Sequence, residues 1–140
     1  MVRGEQKHTI DSKNRLFIPS KFREELGTQI VIAKSVMGKC VWIYSRENWE
    51  RFEEKLRDLP QISAYEVVSW LYVNSEDAEV DTQGRIAIPA KYLKYAGITK
   101  NIISAGVRDH MEIWDEETFD EKMESTDVSA LRNLLMQHGM

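Results

Sequence analysis

Short apolar segments alternate with polar turns along the chain, and the order of these segments occurs twice. Each unit begins with a polar turn and a short strand, and a proline then precedes a short helical stretch that ends at a glycine. Two further apolar segments are predicted to be strands, and an amphipathic helix closes the unit. These later strands are residues 29–33 and 41–44 in the first unit, and residues 101–105 and 111–114 in the second.

The two units are copies of one sequence. DSKNRLFIPSKF begins at Asp11 and DTQGRIAIPAKY begins at Asp81, an offset of 70 residues that holds without a gap as far as Trp49 and Phe119. A match that keeps its register over a whole unit indicates an internal duplication. The chain therefore divides into a first repeat at 1–54, a helical connector at 55–70, a second repeat at 71–124 and a C-terminal helix at 125–140.

The polar turn has the same design in both repeats. Asn14 and Gly84 occupy equivalent positions and are residue types that tolerate a positive φ, so the backbone there is predicted to be left-handed. An aspartate at the start of such a turn caps it by accepting backbone hydrogen bonds. The prolines are expected at the first helical position. The residues assigned to this structural turn are Asp11, Asp81, Gly84, Pro19 and Pro89.

Helix starts are predicted from residues that cap a helix. The helices that close the two repeats are expected to begin near Ser45 and Asp115. In the connector, Pro60 breaks the preceding helix, and Ser63 starts the next one with Glu66 at capping-box spacing.

The last segment carries an apolar stripe at helical spacing, formed by Val128, Leu131 and Leu135. Such a stripe packs either against the protein's own core or against another chain. The sequence alone favours neither alternative.

Neither repeat contains enough strand to bury both faces of a sheet by itself. Two repeats can interleave their hairpins and close one barrel, which removes the exposed strand edges that a single repeat would leave. The sequence therefore predicts an α+β fold in which two tandem repeats form one swapped-hairpin β-barrel with flanking helices.

The pattern DxxxRxxIP, present from Asp11 to Pro19 and again from Asp81 to Pro89, resembles the AbrB-type swapped-hairpin DNA-binding domain. Two copies, each followed by a helix, resemble the MraZ family of bacterial transcriptional regulators. The resemblance implies a sequence-specific DNA-binding protein of the nucleoid that assembles into a homo-oligomeric ring. It also implies double-stranded DNA targets, namely direct repeats upstream of the division and cell-wall gene cluster that begins with its own gene. The family usually has glycine where this chain has Asn14, and asparagine can adopt the same backbone conformation.

Charge is distributed unevenly along a chain whose net charge is −4. Residues 1–23 contain six basic and two acidic side chains, whereas residues 109–127 contain nine acidic side chains and one lysine. This asymmetry is compatible with one surface for a polyanion and another that is solvated. On charge alone, an ordinary solvated surface is the simpler interpretation.

The candidate DNA contacts centre on the first turn. Its arginine offers a bidentate fork for a guanine edge or a phosphate, and the basic residues before the turn are expected to contact phosphates only. The alternative is that each turn arginine pairs with the aspartate of its own turn. The candidates are Arg15, Lys13 and Asn14 in the first turn, Arg3 and Lys7 before it, and Arg85 and Gln83 in the second turn.

No catalytic or metal-binding pattern is present. The three histidines lack ligand spacing, the chain has one cysteine, and no glycine-rich phosphate loop occurs. We therefore expect a protein that is not an enzyme and that uses no cofactor or metal. No apolar segment is long enough to span a membrane and the N-terminus does not resemble a signal peptide, so a cytoplasmic location is expected. An AbrB-like protein-interaction or antitoxin-type assembly module is the alternative function.

Overall fold

A computed structural model describes all 140 residues as eight strands and six helices. The strands are β1 (Val2–Thr9), β2 (Arg15–Phe17), β3 (Gln29–Lys34), β4 (Val41–Ser45), β5 (Ser75–Glu79), β6 (Arg85–Ala87), β7 (Asn101–Arg108) and β8 (His110–Asp115). The helices are α1 (Ser20–Leu26), α2 (Arg46–Arg57), α3 (Gln61–Val73), α4 (Ala90–Ala96), α5 (Glu116–Ser125) and α6 (Val128–Gln137). No helix has the length and apolar character needed to span a lipid bilayer.

The strands of the two repeats are interleaved in two antiparallel sheets. The larger sheet has the order β1-β7-β8-β4-β3-β5, and the smaller sheet is the pair β2-β6. Strand β1 of the first repeat pairs with β7 of the second, and β5 of the second pairs with β3 of the first. The predicted α+β class and the exchange of hairpins between repeats are confirmed.

The two polar turns connect the large sheet to the small one. β1 and β5 form the edges of the large sheet, and each runs through its turn into β2 or β6. The hydrogen bonds Asp11 N to Arg15 O and Asp81 N to Arg85 O, both 2.9 Å, close these turns. The β2–β6 pair therefore bridges the two edges of the large sheet, as a swapped-hairpin barrel requires.

Both faces of the large sheet are covered, which explains the continuous apolar runs in its central strands. Side chains of β4 alternate between two buried clusters: Val41 and Ile43 point to one, and Trp42 and Tyr44 to the other. The first cluster fills the space beneath β2, β6, α1 and α4. The second contains aromatic residues and lies under α2, α3 and α5.

Two of the predicted helix starts agree with the structure. The Ser45 hydroxyl oxygen accepts a hydrogen bond from Asn48 N at 3.0 Å, and Asp115 Oδ2 accepts one from Thr118 N at 3.1 Å. These side chains satisfy backbone donors that the first turn of a helix leaves free. Helices α2 and α5 begin directly after them.

The predicted start of the connector helix is wrong. Helix α3 begins directly after Pro60, and Ser63 lies within its first turn. The Ser63 hydroxyl donates to the Pro60 carbonyl at 3.3 Å instead of capping the helix with Glu66. Proline fixes its own φ at a value compatible with helix entry, so the N-cap is Pro60, three residues before the expected Ser63.

Prolines also precede the two short helices. Pro19 and Pro89 were expected at the first helical position, but both stand one residue before it, with ψ angles of 135° and 145°. An extended ψ at the proline lets the preceding strand end and the helix start without an intervening loop. The prolines therefore fix the junction between β2 and α1 and between β6 and α4.

The C-terminal helix does not pack against the core. No residue of α6 is buried, and its stripe of Val128, Leu131 and Leu135 is exposed. Of the two alternatives that the sequence left open, packing against the protein's own core is therefore wrong.

Candidate nucleic-acid interface

The first turn is held together by one carboxylate. Asp11 Oδ1 accepts hydrogen bonds from Lys13 N and Arg15 N, each at 2.9 Å. Its second oxygen, Oδ2, accepts a hydrogen bond from Arg15 Nε at 2.9 Å. These donors, the Arg15 backbone N–H above all, lower the pKa of Asp11 below its ordinary value. The aspartate therefore shapes the turn and orients the arginine at the same time.

The second turn repeats this geometry. Asp81 Oδ1 accepts from Gln83 N at 2.9 Å and from Arg85 N at 2.8 Å, and Oδ2 accepts from Arg85 Nε at 2.9 Å. The pKa of Asp81 is lowered for the same reason, with the Arg85 backbone N–H as the main donor. The left-handed backbone lies where the sequence predicts it, with φ of 60° at Asn14 and 82° at Gly84.

Each turn arginine pairs with its own aspartate, as the alternative interpretation of these residues proposed. The pairing uses only Nε, and neither the Arg15 nor the Arg85 Nη atoms have an acceptor within the protein. The side chains of Arg15 and Arg85 retain 30% and 23% exposure. A guanidinium held at Nε still presents its two Nη groups as donors to a ligand.

The two arginines lie on the same face of the β2–β6 pair. Leu16 and Ile86 point inward and are buried, so their neighbours in the strands point outward. Phe17, 54% exposed, is paired in register with Arg85, whose Cζ atom lies 6.0 Å from the ring centroid. This outer face, made of Arg15, Phe17, Arg85 and Ala87, presents two guanidinium groups and one aromatic ring to solvent.

The turns lie at opposite ends of the β2–β6 pair. Ile18 N donates to Gly84 O at 2.9 Å, and Ile88 N donates to Asn14 O at 2.8 Å. The carbonyl at the left-handed position of one repeat is thus held by the strand end of the other repeat. The arrangement relates the two turns by an approximate twofold axis through the outer face.

Sequence reasoning missed one cationic residue of this site. Arg23 of α1 donates through Nε to Ile18 O at 2.8 Å, and its guanidinium lies against Gly84 in the second turn. It forms no ion pair within the chain and is exposed. The second turn, which has fewer basic residues of its own, therefore receives a cation from the first repeat. Two sequence features could have indicated it: Arg23 belongs to the basic segment 1–23, and its counterpart at the offset of 70 is the uncharged Leu93.

Comparison with known proteins agrees with this architecture. A family model described as "MraZ protein, putative antitoxin-like" matches residues 1–66 and 71–132. The chain belongs to the MraZ family. The protein named "Transcriptional regulator MraZ" from Caldanaerobacter subterraneus subsp. tengcongensis is 43% identical over 131 residues, which cover 92% of this chain and 91% of that protein. The protein of the same name from Clostridium acetobutylicum is 38% identical over the full length of both chains.

A third relative has the same name and a similar identity to this chain. The "Transcriptional regulator MraZ" of Clostridium tetani is 43% identical over 123 residues, or 86% of each chain. These MraZ relatives are named as regulators of transcription and not as enzymes. Each of the two segments that match the MraZ family model contains one polar turn.

The remaining candidates of this MraZ chain differ in position. Lys13 and Gln83 are exposed and Asn14 is half-buried at the tips of the two turns, and none of their side chains is engaged in an ion pair. Lys7, in β1, lies 3.5 Å from Glu116 and forms an ion pair with it. Arg3 lies at the far end of β1, eight residues before Asp11, a separation of up to about 26 Å along an extended strand. The structure groups the turn residues and leaves these two apart from them.

Proposed function

We propose that this chain is a transcriptional regulator that binds double-stranded DNA in a sequence-specific way through the outer face of the β2–β6 pair and the two turns beside it. One observation carries the proposal: two turns of the same geometry flank the β2–β6 pair, and the free Nη groups of Arg15 and Arg85 face solvent on its outer face. The names of the MraZ relatives support it.

The ion pairs with the aspartates support a function for the arginines. A free arginine on a surface samples many rotamers and loses that freedom when it binds, which reduces its affinity. Asp11 and Asp81 fix the guanidinium planes beforehand and leave the Nη edges for a guanine or a phosphate oxygen. Arg15 is assigned as the leading contact, and Arg85 as its counterpart at the second turn.

The neighbouring residues take secondary roles. Lys13 and Asn14 extend the contact around the first turn, and Gln83 does so around the second, where its amide group suits an adenine edge. Arg23 adds a cation beside the second turn and is assigned to a phosphate.

Arg3 and Lys7 reach phosphates only if the duplex extends along β1. For Lys7 such a contact competes with the ion pair to Glu116, which is partly exposed and therefore weak. Both residues would add affinity without adding sequence information.

The proposed targets are direct repeats upstream of the division and cell-wall gene cluster that includes the chain's own gene. A surface with a few charged contacts binds one site weakly and in a salt-dependent way. A ring of identical subunits would present several such surfaces at a fixed spacing, so that repeated sites gain affinity from avidity. We place this protein in the cytoplasm, associated with the nucleoid.

The test is the binding of fluorescently labelled promoter DNA to the wild type, Arg15→Ala and Arg51→Ala. Arg51 lies on α2, away from the outer face, and pairs with Glu47, so it serves as a matched arginine control. We expect Arg15→Ala to weaken binding roughly 5- to 150-fold, which corresponds to 1–3 kcal/mol, and Arg51→Ala to bind like the wild type. Equal affinities of all three proteins would overturn the proposal.

An antitoxin-type assembly module is the second candidate, and the description of the matching family model favours it. The acidic helix α5, whose first turn contains Glu116 and Glu117, would then bind a protein partner. Wild-type protein that binds promoter DNA no better than unrelated DNA of the same length would favour this candidate over the first.

A further inference from the structure

Helix α3 is apolar on most sides and yet largely exposed. Its 13 residues include a single charged side chain, Glu66, and only Ala64 and Leu71 are buried. Ile62 is 97% exposed. A helix that is apolar around its circumference is normally enclosed by other protein. Within one copy of this chain, much of α3 is left uncovered.

Helix α6 also lacks a partner. Its stripe of Val128, Leu131 and Leu135 is 49–62% exposed, although the helix is well formed. Asp127 caps it by accepting hydrogen bonds from Ser129 N and Ala130 N. The stripe therefore belongs to an ordered helix that is held away from the core of its own chain.

The two helices carry opposite charges. Glu66 is the only charged residue of α3, and Arg132 is the only charged residue of α6. Both side chains are exposed, and neither forms an ion pair within the chain. Two apolar surfaces with one acid on the first and one base on the second are complementary in charge as well as in polarity.

A shallow groove runs beside Glu66. It is lined by Val36 from the β3–β4 loop and by Ser63, Glu66, Val67 and Trp70 of α3. Apolar side chains form most of this groove, and Glu66 is its only charged residue. An apolar helix with one basic residue next to its stripe fits such a groove, because the charge pair forms at the margin where it stays partly solvated.

We propose that the α6 stripe of one copy docks in the α3 groove of another copy, with Arg132 opposite Glu66. This inference rests on the assembly of identical subunits in the proposed function and assigns the surfaces that make it. Because the two surfaces differ, one copy offers its groove to one neighbour and its helix to another. Head-to-tail contacts of this kind close into a ring when the rotation between neighbours allows it.

The first test is charge reversal at the contact, with Glu66→Arg and Arg132→Glu made singly and together. Sedimentation velocity at one protein concentration and low salt gives the size of the assembly. Each single variant places like charges opposite each other and should weaken each contact about tenfold or more. The double variant restores opposite charges and should recover the wild-type size. Single variants of wild-type size, or a double variant no larger than the singles, would overturn the proposal.

The second test removes the apolar contact. Leu131→Asp combined with Leu135→Asp should abolish assembly, whereas Asn133→Asp, on the other side of the same helix, should leave it unchanged. Circular dichroism should show an intact fold in all three proteins, because these side chains are exposed within one copy. A paired leucine variant that assembles like the wild type would contradict the docking of α6.

DNA with one repeat separates this inference from the proposed function. The leucine variant should bind a one-repeat duplex like the wild type and lose the additional affinity for a duplex with several repeats. Arg15→Ala should keep the assembly and bind both duplexes more weakly than the wild type. Wild-type protein that stays monomeric would overturn the docking and the proposed ring, but not the DNA-binding face. Arg15→Ala that binds the one-repeat duplex like the wild type would overturn the DNA-binding face, but not the docking.

Discussion

The guanidinium group of Arg23 lies against Gly84, so that helix α1 of the first repeat supports the turn of the second. A Cβ atom at Gly84 would lie 2.7 Å from Arg23 Cζ, closer than real side chains allow. The residues equivalent to these two at the offset of 70 are Asn14 and Leu93, a larger turn residue and a buried residue without charge. The two turns therefore share a backbone but differ in their surroundings.

Replacing Gly84 with alanine should destabilise the protein and weaken DNA binding. The positive φ of 82° costs alanine about 1 kcal/mol. The new methyl group also displaces Arg23 and its hydrogen bond to Ile18 O, which adds about 1 kcal/mol. Urea unfolding measures the free energy of unfolding.

Gly97→Ala is the matched control for this substitution. Gly97 has a φ of 66° at the end of α4, and nothing lies within 4 Å of the position of its Cβ. The Gly97→Ala variant should lose only the stability that the positive φ costs, and its DNA affinity should be unchanged. Equal losses of stability in both variants would mean that Arg23 moves aside freely.

Replacing Arg23 with glutamine should reduce DNA affinity similarly for all sequences. If this residue contacts a phosphate, the slope of log affinity against log salt should become shallower by about one unit. The preference for the promoter sequence over unrelated DNA should remain. An unchanged slope would remove Arg23 from the proposed interface.

Replacing Phe17 with alanine should weaken binding to the specific sequence more than to unrelated DNA. Phe17 is exposed between the two arginines, and an apolar side chain at that place can contact a thymine methyl group. The change gives the first repeat the residue that the second repeat has at this position, Ala87. We expect a loss of about 1 kcal/mol in a fluorescence binding assay, with no change in the salt slope. An equal loss on both DNAs would argue for a contact without base discrimination.

Acid should weaken both turns. The pKa values of Asp11 and Asp81 are lower in the folded protein than their ordinary value of 3.8, so their charged forms stabilise the fold. This contribution to stability is complete at a pH above the pKa of the unfolded state. It is lost as the pH falls through the lower pKa of the folded state. Urea unfolding between pH 6 and pH 2.5 should show the wild type losing its advantage over a variant with Asp11→Asn and Asp81→Asn. A constant difference between the two proteins across that range would contradict this.

The turns could be predicted from the sequence because their geometry is local. The capping aspartate, the left-handed residue and the arginine lie within five positions of one another, and each residue type has its own backbone preference. The helix starts near Ser45 and Asp115 could be predicted for the same reason. Local patterns failed at Ser63, where two neighbouring signals competed and the proline determined the start.

The rest of the site depends on contacts between distant segments. Nothing near Arg23 in the sequence indicates that it reaches Gly84, because β2 pairs with β6 only after the two repeats interleave. The same is true of Phe17, whose exposure between two arginines follows from register with Arg85. The exposure of α6 could not be predicted either, because an apolar stripe has the same sequence pattern whether it packs against its own chain or another.

The approximate twofold symmetry about the outer face is not exact, because equivalent positions carry different residues. Phe17 corresponds to Ala87 and Asn14 to Gly84, and Arg23 has no basic counterpart in the second repeat. A symmetric pair of turns would read a palindrome equally well from either end. Because these two turns are covalently joined and have diverged, the molecule would lie on a duplex in one orientation only. Successive copies in an assembly would then all point the same way along the DNA, which requires sites that share a common polarity.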